Sequence, residues 1–124
     1  MLETVLFSDK YRSLIPLVRR TGLIFRLVYI TTVHPDINVA RVRRRVLAGG
    51  HDVPEDKIHE RWTRSMDNLA GFAERADRLI VVDNSGQEPV MLALRHLEGA
   101  LEIHDVDHPA SDRLRSLRNT VRLP

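Results

Sequence analysis

The sequence predicts an α/β layer fold with parallel strands, and three observations predict it. Two short apolar runs, at 23–31 and 79–83, read as strands covered on both faces, because neither alternates strictly. Two segments between them, at 35–48 and 55–77, carry apolar residues at helical spacing. The order helix, strand, helix, helix, strand is that of a crossover joining parallel strands.

The first helix is expected from Asp9 or Lys10 to Arg20. Leu14, Leu17, Val18 and Thr21 mark its inner face, Pro16 kinks it or delays its start, and Gly22 stops it. The strand at 23–31 (L-I-F-R-L-V-Y-I-T) follows, with Arg26 as its one charged residue, expected near a strand end. Pro35 and Asp36 open a helix with Val39, Val42 and Val46 on one face, closing at Ala48 before Gly49-Gly50. Asp52, Pro54 and Glu55 resemble a capping box for the next helix. There Ile58, Trp62, Met66, Leu69, Ala73 and Ala76 form the core face, and Arg61, Arg64, Ser65 and Asn68 form a second one. Gly71 weakens this helix near its middle. The strand at 79–83 ends in the turn Asn84-Ser85-Gly86. A hairpin is expected from 90–94 and 101–103 around Glu98-Gly99. Pro109 then begins a terminal helix with Leu114, Leu117 and Val121 inward.

A chain of 124 residues is long enough for one domain with one core. With 43% hydrophobic and 29% charged residues the composition is globular, and no apolar run approaches the ~18 residues of a membrane span. No signal peptide is expected. The absence of cysteine suits a cytoplasmic protein and excludes disulfides and thiolate metal sites. Of 19 basic residues only Lys10 and Lys57 are lysine, leaving 17 arginines, yet the net charge is only +2. That small charge and six aromatic residues argue against nucleic acid.

The arginines gather at 41–64, R-V-R-R-R-V-L-A-G-G-H-D-V-P-E-D-K-I-H-E-R-W-T-R. Arg41 and Arg45 share a helical face, Arg61 and Arg64 lie on the following helix, and His51 sits in the turn between. Guanidinium groups suit phosphate oxygens because their planar fork stays charged. The plainer reading is a solvated basic helix paired with Glu55, Asp56 and Glu60. Neither G-x-x-x-x-G-K-[ST] nor G-x-G-x-x-G occurs among the six glycines. His104 and His108, with Asp105 and Asp107, suggest a zinc site less strongly than a polar loop, so no metal ligand is assigned. No G-x-S-x-G elbow supports a Ser-His-Asp triad, although a single sequence does not exclude one. Asp83 and Glu3 are the best-placed carboxylates, Asp83 because ligands bind at strand ends in open α/β sheets.

The spaced pattern R-V-x-x-R-V-x-x-G-G-H-x-V-P-x-x-K-I-x-x-R-x-x-R-S begins at Arg41 and ends at Ser65. Ala76-Asp77 and Asp83-Asn84-Ser85 continue it. It resembles the zeta-toxin-like family of P-loop kinases, in the branch whose lid carries G-G-H-x-V-P, over residues 2 to 86. The resemblance implies a partial P-loop kinase-like, three-layer α/β fold with a small parallel sheet and a helical arginine-rich lid at 35–77. A hairpin and helix would complete it at 87–124. ATP and Mg2+ are the implied cofactors, and the implied activity is phosphoryl transfer to a small molecule such as a UDP-amino sugar. In that scheme Arg45 and Arg61 are catalytic, Arg41, His51 and Arg64 face the ATP phosphates, and Glu3 and Thr4 lie near substrate. The family's P-loop lysine and presumptive base find no counterpart in these residues. The chain is therefore expected to be inactive alone, or completed by a separately encoded P-loop segment, with an apolar sheet face left uncovered. The alternative is a non-catalytic module of the same fold that binds a nucleotide or an antitoxin.

Overall fold

The computed structural model describes residues 13–97, 99–104, 107–117 and 120–122. Its elements are α1 (Leu14–Arg20), β1 (Arg26–Thr31), α2 (Pro35–Leu47), α3 (Glu55–Arg75), β2 (Arg78–Asp83), β3 (Val90–Arg95), β4 (Leu101–Ile103), α4 (Pro109–Leu114) and β5 (Thr120–Arg122). The strands form one mixed sheet in the order β1-β2-β3-β4-β5. β1 and β2 are parallel, with Arg26 opposite Arg78 and Thr31 opposite Asp83, and the α2–α3 pair connects them. The expected parallel sheet is thus confined to this pair and to β4–β5. β3 runs antiparallel to both its neighbours.

Local chemistry explains the helix boundaries. Pro35 occupies the first turn of α2, where its missing N–H costs nothing, and His34 caps the helix by accepting the Asp36 N–H on Nδ1 at 3.1 Å. α2 closes through Gly49, at φ +95, and the Gly50 N–H donates to the Arg45 carbonyl at 2.7 Å. A Cβ on Gly50 would stand 2.9 Å from that carbonyl oxygen, so glycine is required there. The expected capping box does not form: Pro54 is the N-cap of α3 and makes no side-chain cap bond. Arg43 instead draws Glu55 away at 2.7 Å.

α3 runs through the core, burying Ile58, Met66, Leu69, Phe72 and Ala73. Fully burying side chains of this size contributes about 1.5–3 kcal/mol each, which outweighs the ~1 kcal/mol penalty of Gly71. Met66, Leu69 and Phe72 join Tyr29, Leu79, Val81, Ala93, Leu101, Ile103 and Leu114 in one buried cluster. In β3 the consecutive residues Leu92 and Ala93 are both buried, because the register shifts between Val81 and Val82 and a bulge re-aims the strand. Arg95, at the end of β3, donates to the carbonyls of Ala73 and Ala76 at 2.7 and 3.2 Å. It closes the C-terminal end of α3, where a cation also complements the helix dipole. Burial lowers its pKa below the usual arginine value, against the smaller opposing influence of Glu74. Arg95→Ala is expected to cost about 1–2 kcal/mol in urea unfolding, and Arg95→Lys about half of that.

Four sequence expectations are corrected. In α1 it is Ile15 that reaches the core, while Leu14 and Leu17 are exposed; Pro16 delays the helix to Leu14 and shifts its inner face. The apolar run at 23–31 becomes strand only from Arg26, with Leu23 and Ile24 exposed. α4 ends at Leu114, and Val121 lies in β5, half exposed, rather than on a helix. Last, the three-layer arrangement is not seen among the described residues. Val28 and Ile30 are 55% and 63% exposed, and they share a sheet face with Ile80, Val82, Leu94 and Met91. β1 is also the edge of the sheet.

Candidate functional site at the strand ends

The carboxyl ends of the parallel pair carry the densest polar network in the described structure, at the place where open α/β sheets bind ligands. Asn84 N–H donates to the Thr31 carbonyl at 2.7 Å, locking the ends of β1 and β2 together. Ser85 Oγ donates to Asp83 Oδ1 at 2.5 Å and accepts the Val33 N–H at 2.8 Å. Thr32 Oγ1 meets Asn38 Oδ1 at 2.5 Å, and the Trp62 indole N–H donates to the Thr32 carbonyl at 3.2 Å. Below them Tyr29 Oη and Ser65 Oγ are 2.8 Å apart. Burial raises the Tyr29 pKa from 10.0 more than the Ser65 and Thr31 contacts and Arg113 lower it, so the phenol stays neutral.

His108 closes the site from the other side. It caps α4, with Nδ1 accepting the Ala110 N–H at 3.1 Å, so a neutral ring carries its proton on Nε2. That nitrogen lies 3.4 Å from Asp83 Oδ1, and the imidazole is 3% exposed. The alignment is too poor for a hydrogen bond, and Nε2 has no other partner. A Ser-His-Asp nucleophile is therefore not built here. The carboxylate stands between hydroxyl and imidazole, whereas the general base must touch the hydroxyl.

Among the five lid positions, Arg41 reaches furthest into this region. Its guanidinium donates to the carbonyls of Asn84 and Ser85 at 2.5 and 3.3 Å, tying α2 to the end of β2. Arg64 lies 3.6 Å from Glu60, one turn back on α3, and Arg61 is engaged by a neighbour. Arg45 and His51 are exposed, with no side-chain partner among the described residues. A cavity of about 160 Å³ between α2 and α3 is lined by Val39, Val42, Arg43, Asp52, Val53 and Glu55 among others, and by none of the five. Glu3 and Thr4 lie outside the described residues, as does Asp105. His104 is 3.9 Å from Glu102, His108 caps α4 through Nδ1, and among the described residues no metal-ligand group forms in the C-terminal loop.

Two features escaped the sequence reading. The contact of His108 with Asp83 gave no local signal, because the carboxylate lies 25 positions earlier in the chain. Asp36, which opens α2, Glu55, read as a cap or ion-pair partner, and His59, assigned no role, come together where α2 and α3 begin. The fold and site define an α/β domain with a polar end to its parallel strand pair. No helix among the described residues is long and apolar enough to cross a membrane. No family model, curated protein or solved structure matches the chain.

Proposed function

We propose that this chain is the lid-bearing portion of a zeta-toxin-like, ATP-dependent small-molecule kinase, completed by a polypeptide that carries the phosphate-binding loop. The observation that supports it best is the sheet itself. Among the described residues no strand pairs with the outer edge of β1, and none covers the face bearing Val28, Ile30 and Met91. An unpaired edge beside an apolar face is the surface a further strand and helix would fill. These 124 residues contain no G-x-x-x-x-G-K-[ST], so the cradle for the β- and γ-phosphates belongs to the partner. Magnesium, when bound with ATP, supplies neutralisation of charge on the transferring phosphoryl group. This chain contributes Arg45 and His51, exposed and without a side-chain partner among the described residues, while Arg41 holds the α2 end of the lid against the strand ends. The engaged state of Arg41 and Arg64 favours the second reading, a nucleotide- or antitoxin-binding module without catalysis.

Complementation tests the proposal. Co-expression with a polypeptide that bears the P-loop motif should yield transfer of the ATP γ-phosphate to a small acceptor, UDP-N-acetylglucosamine being the first to try. The chain alone should bind ATP no more tightly with magnesium than without. Tight magnesium-dependent binding by the chain alone, or no transfer by the complex, would overturn it. The double substitution Val28→Lys/Ile30→Lys should leave the isolated chain within about 0.5 kcal/mol per site of wild type, because both side chains face solvent. It should abolish complementation; a fully active complex would place the joint elsewhere.

A further inference from the structure

We propose that Asp36, Glu55 and His59 form a binding site for a divalent transition-metal ion, zinc foremost, independent of the phosphotransfer reading. Asp36 is the second residue of α2, Glu55 is the first of α3, and His59 lies one helical turn beyond Glu55 on the same face. One ligand atom from each lies within 4.8 Å of the other two.

The placement of the imidazole is the informative feature. His59 Nε2 stands 3.0 Å from Asp36 Oδ1, close enough for a strong hydrogen bond. Yet it forms none, although the atom is closed to solvent. The ring as a whole is 41% exposed. Proximity without alignment is poor geometry for a hydrogen bond and suitable geometry for two ligands of one ion. Bonds of about 2.1 Å meeting at about 90–110° put nitrogen and oxygen about 3.0–3.4 Å apart.

The rest of the corner supports the site. His34 accepts the Asp36 N–H at 3.1 Å and so fixes the backbone that presents this carboxylate. The His34 ring stands edge-on to that of His59, with centroids 6.4 Å apart. Arg43 holds Glu55 at 2.7 Å, and the ion competes with that contact for the carboxylate. One imidazole and two carboxylates suit zinc, manganese or cobalt, whereas magnesium and calcium prefer oxygen alone. An ion here would join the first turns of α2 and α3, with water at its remaining positions.

The experiment titrates the full chain, stripped by chelator, with ZnCl2 in a calorimeter, and with Co2+ as a spectroscopic probe. One equivalent of zinc should bind and raise the melting temperature. His59→Gln, which keeps the bulk of the side chain, and Asp36→Asn should each weaken binding by more than the 10–100-fold typical of losing an outer-sphere partner. Both should also remove the melting shift while the apo-protein stays folded by circular dichroism. His104→Ala, at a histidine outside the cluster, should bind as wild type does. Absence of one-to-one binding, or binding retained in His59→Gln, would overturn the assignment. So would a His104→Ala variant that loses as much affinity as His59→Gln.

Discussion

Asp83→Ala should destabilise the protein by about 2–3 kcal/mol, lowering the melting temperature by roughly 8–12 °C for a chain of this length. The side chain is only 18% exposed, and two groups depend on it. Ser85 Oγ loses its acceptor, and with it the hold on the Val33 N–H that sets the start of the loop to α2. His108 Nε2, shut away from water, loses the carboxylate oxygen 3.4 Å from it. Its other nitrogen is fixed by the α4 cap, so the ring is not free to turn toward a new partner. The lost acceptor of a hydroxyl at a part-buried site, together with the space left beside the buried imidazole, accounts for the cost. Asp83→Asn, which keeps an acceptor without the charge, should recover about half. Urea unfolding of Asp83→Ala within 0.5 kcal/mol of wild type would show that the strand ends are held by the backbone alone.

What the sequence disclosed and what it hid divide along the range of the interactions. Boundaries set within four or five residues were readable: Pro35 opening α2, Gly49-Gly50 closing it, and the hairpin of β3 and β4. The parallel pairing of β1 and β2 followed from the helices between them. The run at 23–31 misled because an apolar strand reads alike whether its second face is covered or bare. Only the register, placing Val28 beside Ile80 and Leu94, distinguishes the two. The capping box failed for a similar reason. Asp52 and Glu55 satisfy the local pattern, but Arg43, twelve residues away, competes for Glu55.

For the site, the Asp83-Asn84-Ser85 end of β2 was legible, and its place at the carboxyl end of a parallel strand is why. Its partners were not. His108 and Arg41 lie on separate elements, and the pairing of residues 25 and 42 positions from Asp83 exists only once the sheet has formed. Asp36 and His59 likewise meet through the crossing of α2 and α3, which no helical periodicity encodes. Arginine spacing showed which residues share a helix but not which were already committed. Arg41 and Arg45, one turn apart on one face, have different fates.

That difference makes the most discriminating test of the lid. Arg45→Ala should leave stability within about 0.5 kcal/mol of wild type, since its side chain has no partner among the described residues. If the proposed phosphotransfer complex forms, the same variant should lower its turnover by about 10²–10³-fold, the range expected when one preorganised cation is removed from a transferring phosphoryl group. Arg41→Ala should behave in the opposite sense. Losing its donations to the Asn84 and Ser85 carbonyls should cost about 1–2 kcal/mol, discounted for partial exposure, because those carbonyls recover water only in part. Activity should then fall with the folded fraction and return on cooling. Arg41→Lys should restore less than half of the stability, since one ammonium spans the two carbonyls less well than a planar fork. If Arg45→Ala instead turns over normally while Arg41→Ala unfolds, the arginines of α2 are scaffolding. The phosphate clamp would then have to be sought on α3, where Arg61→Ala becomes the decisive variant.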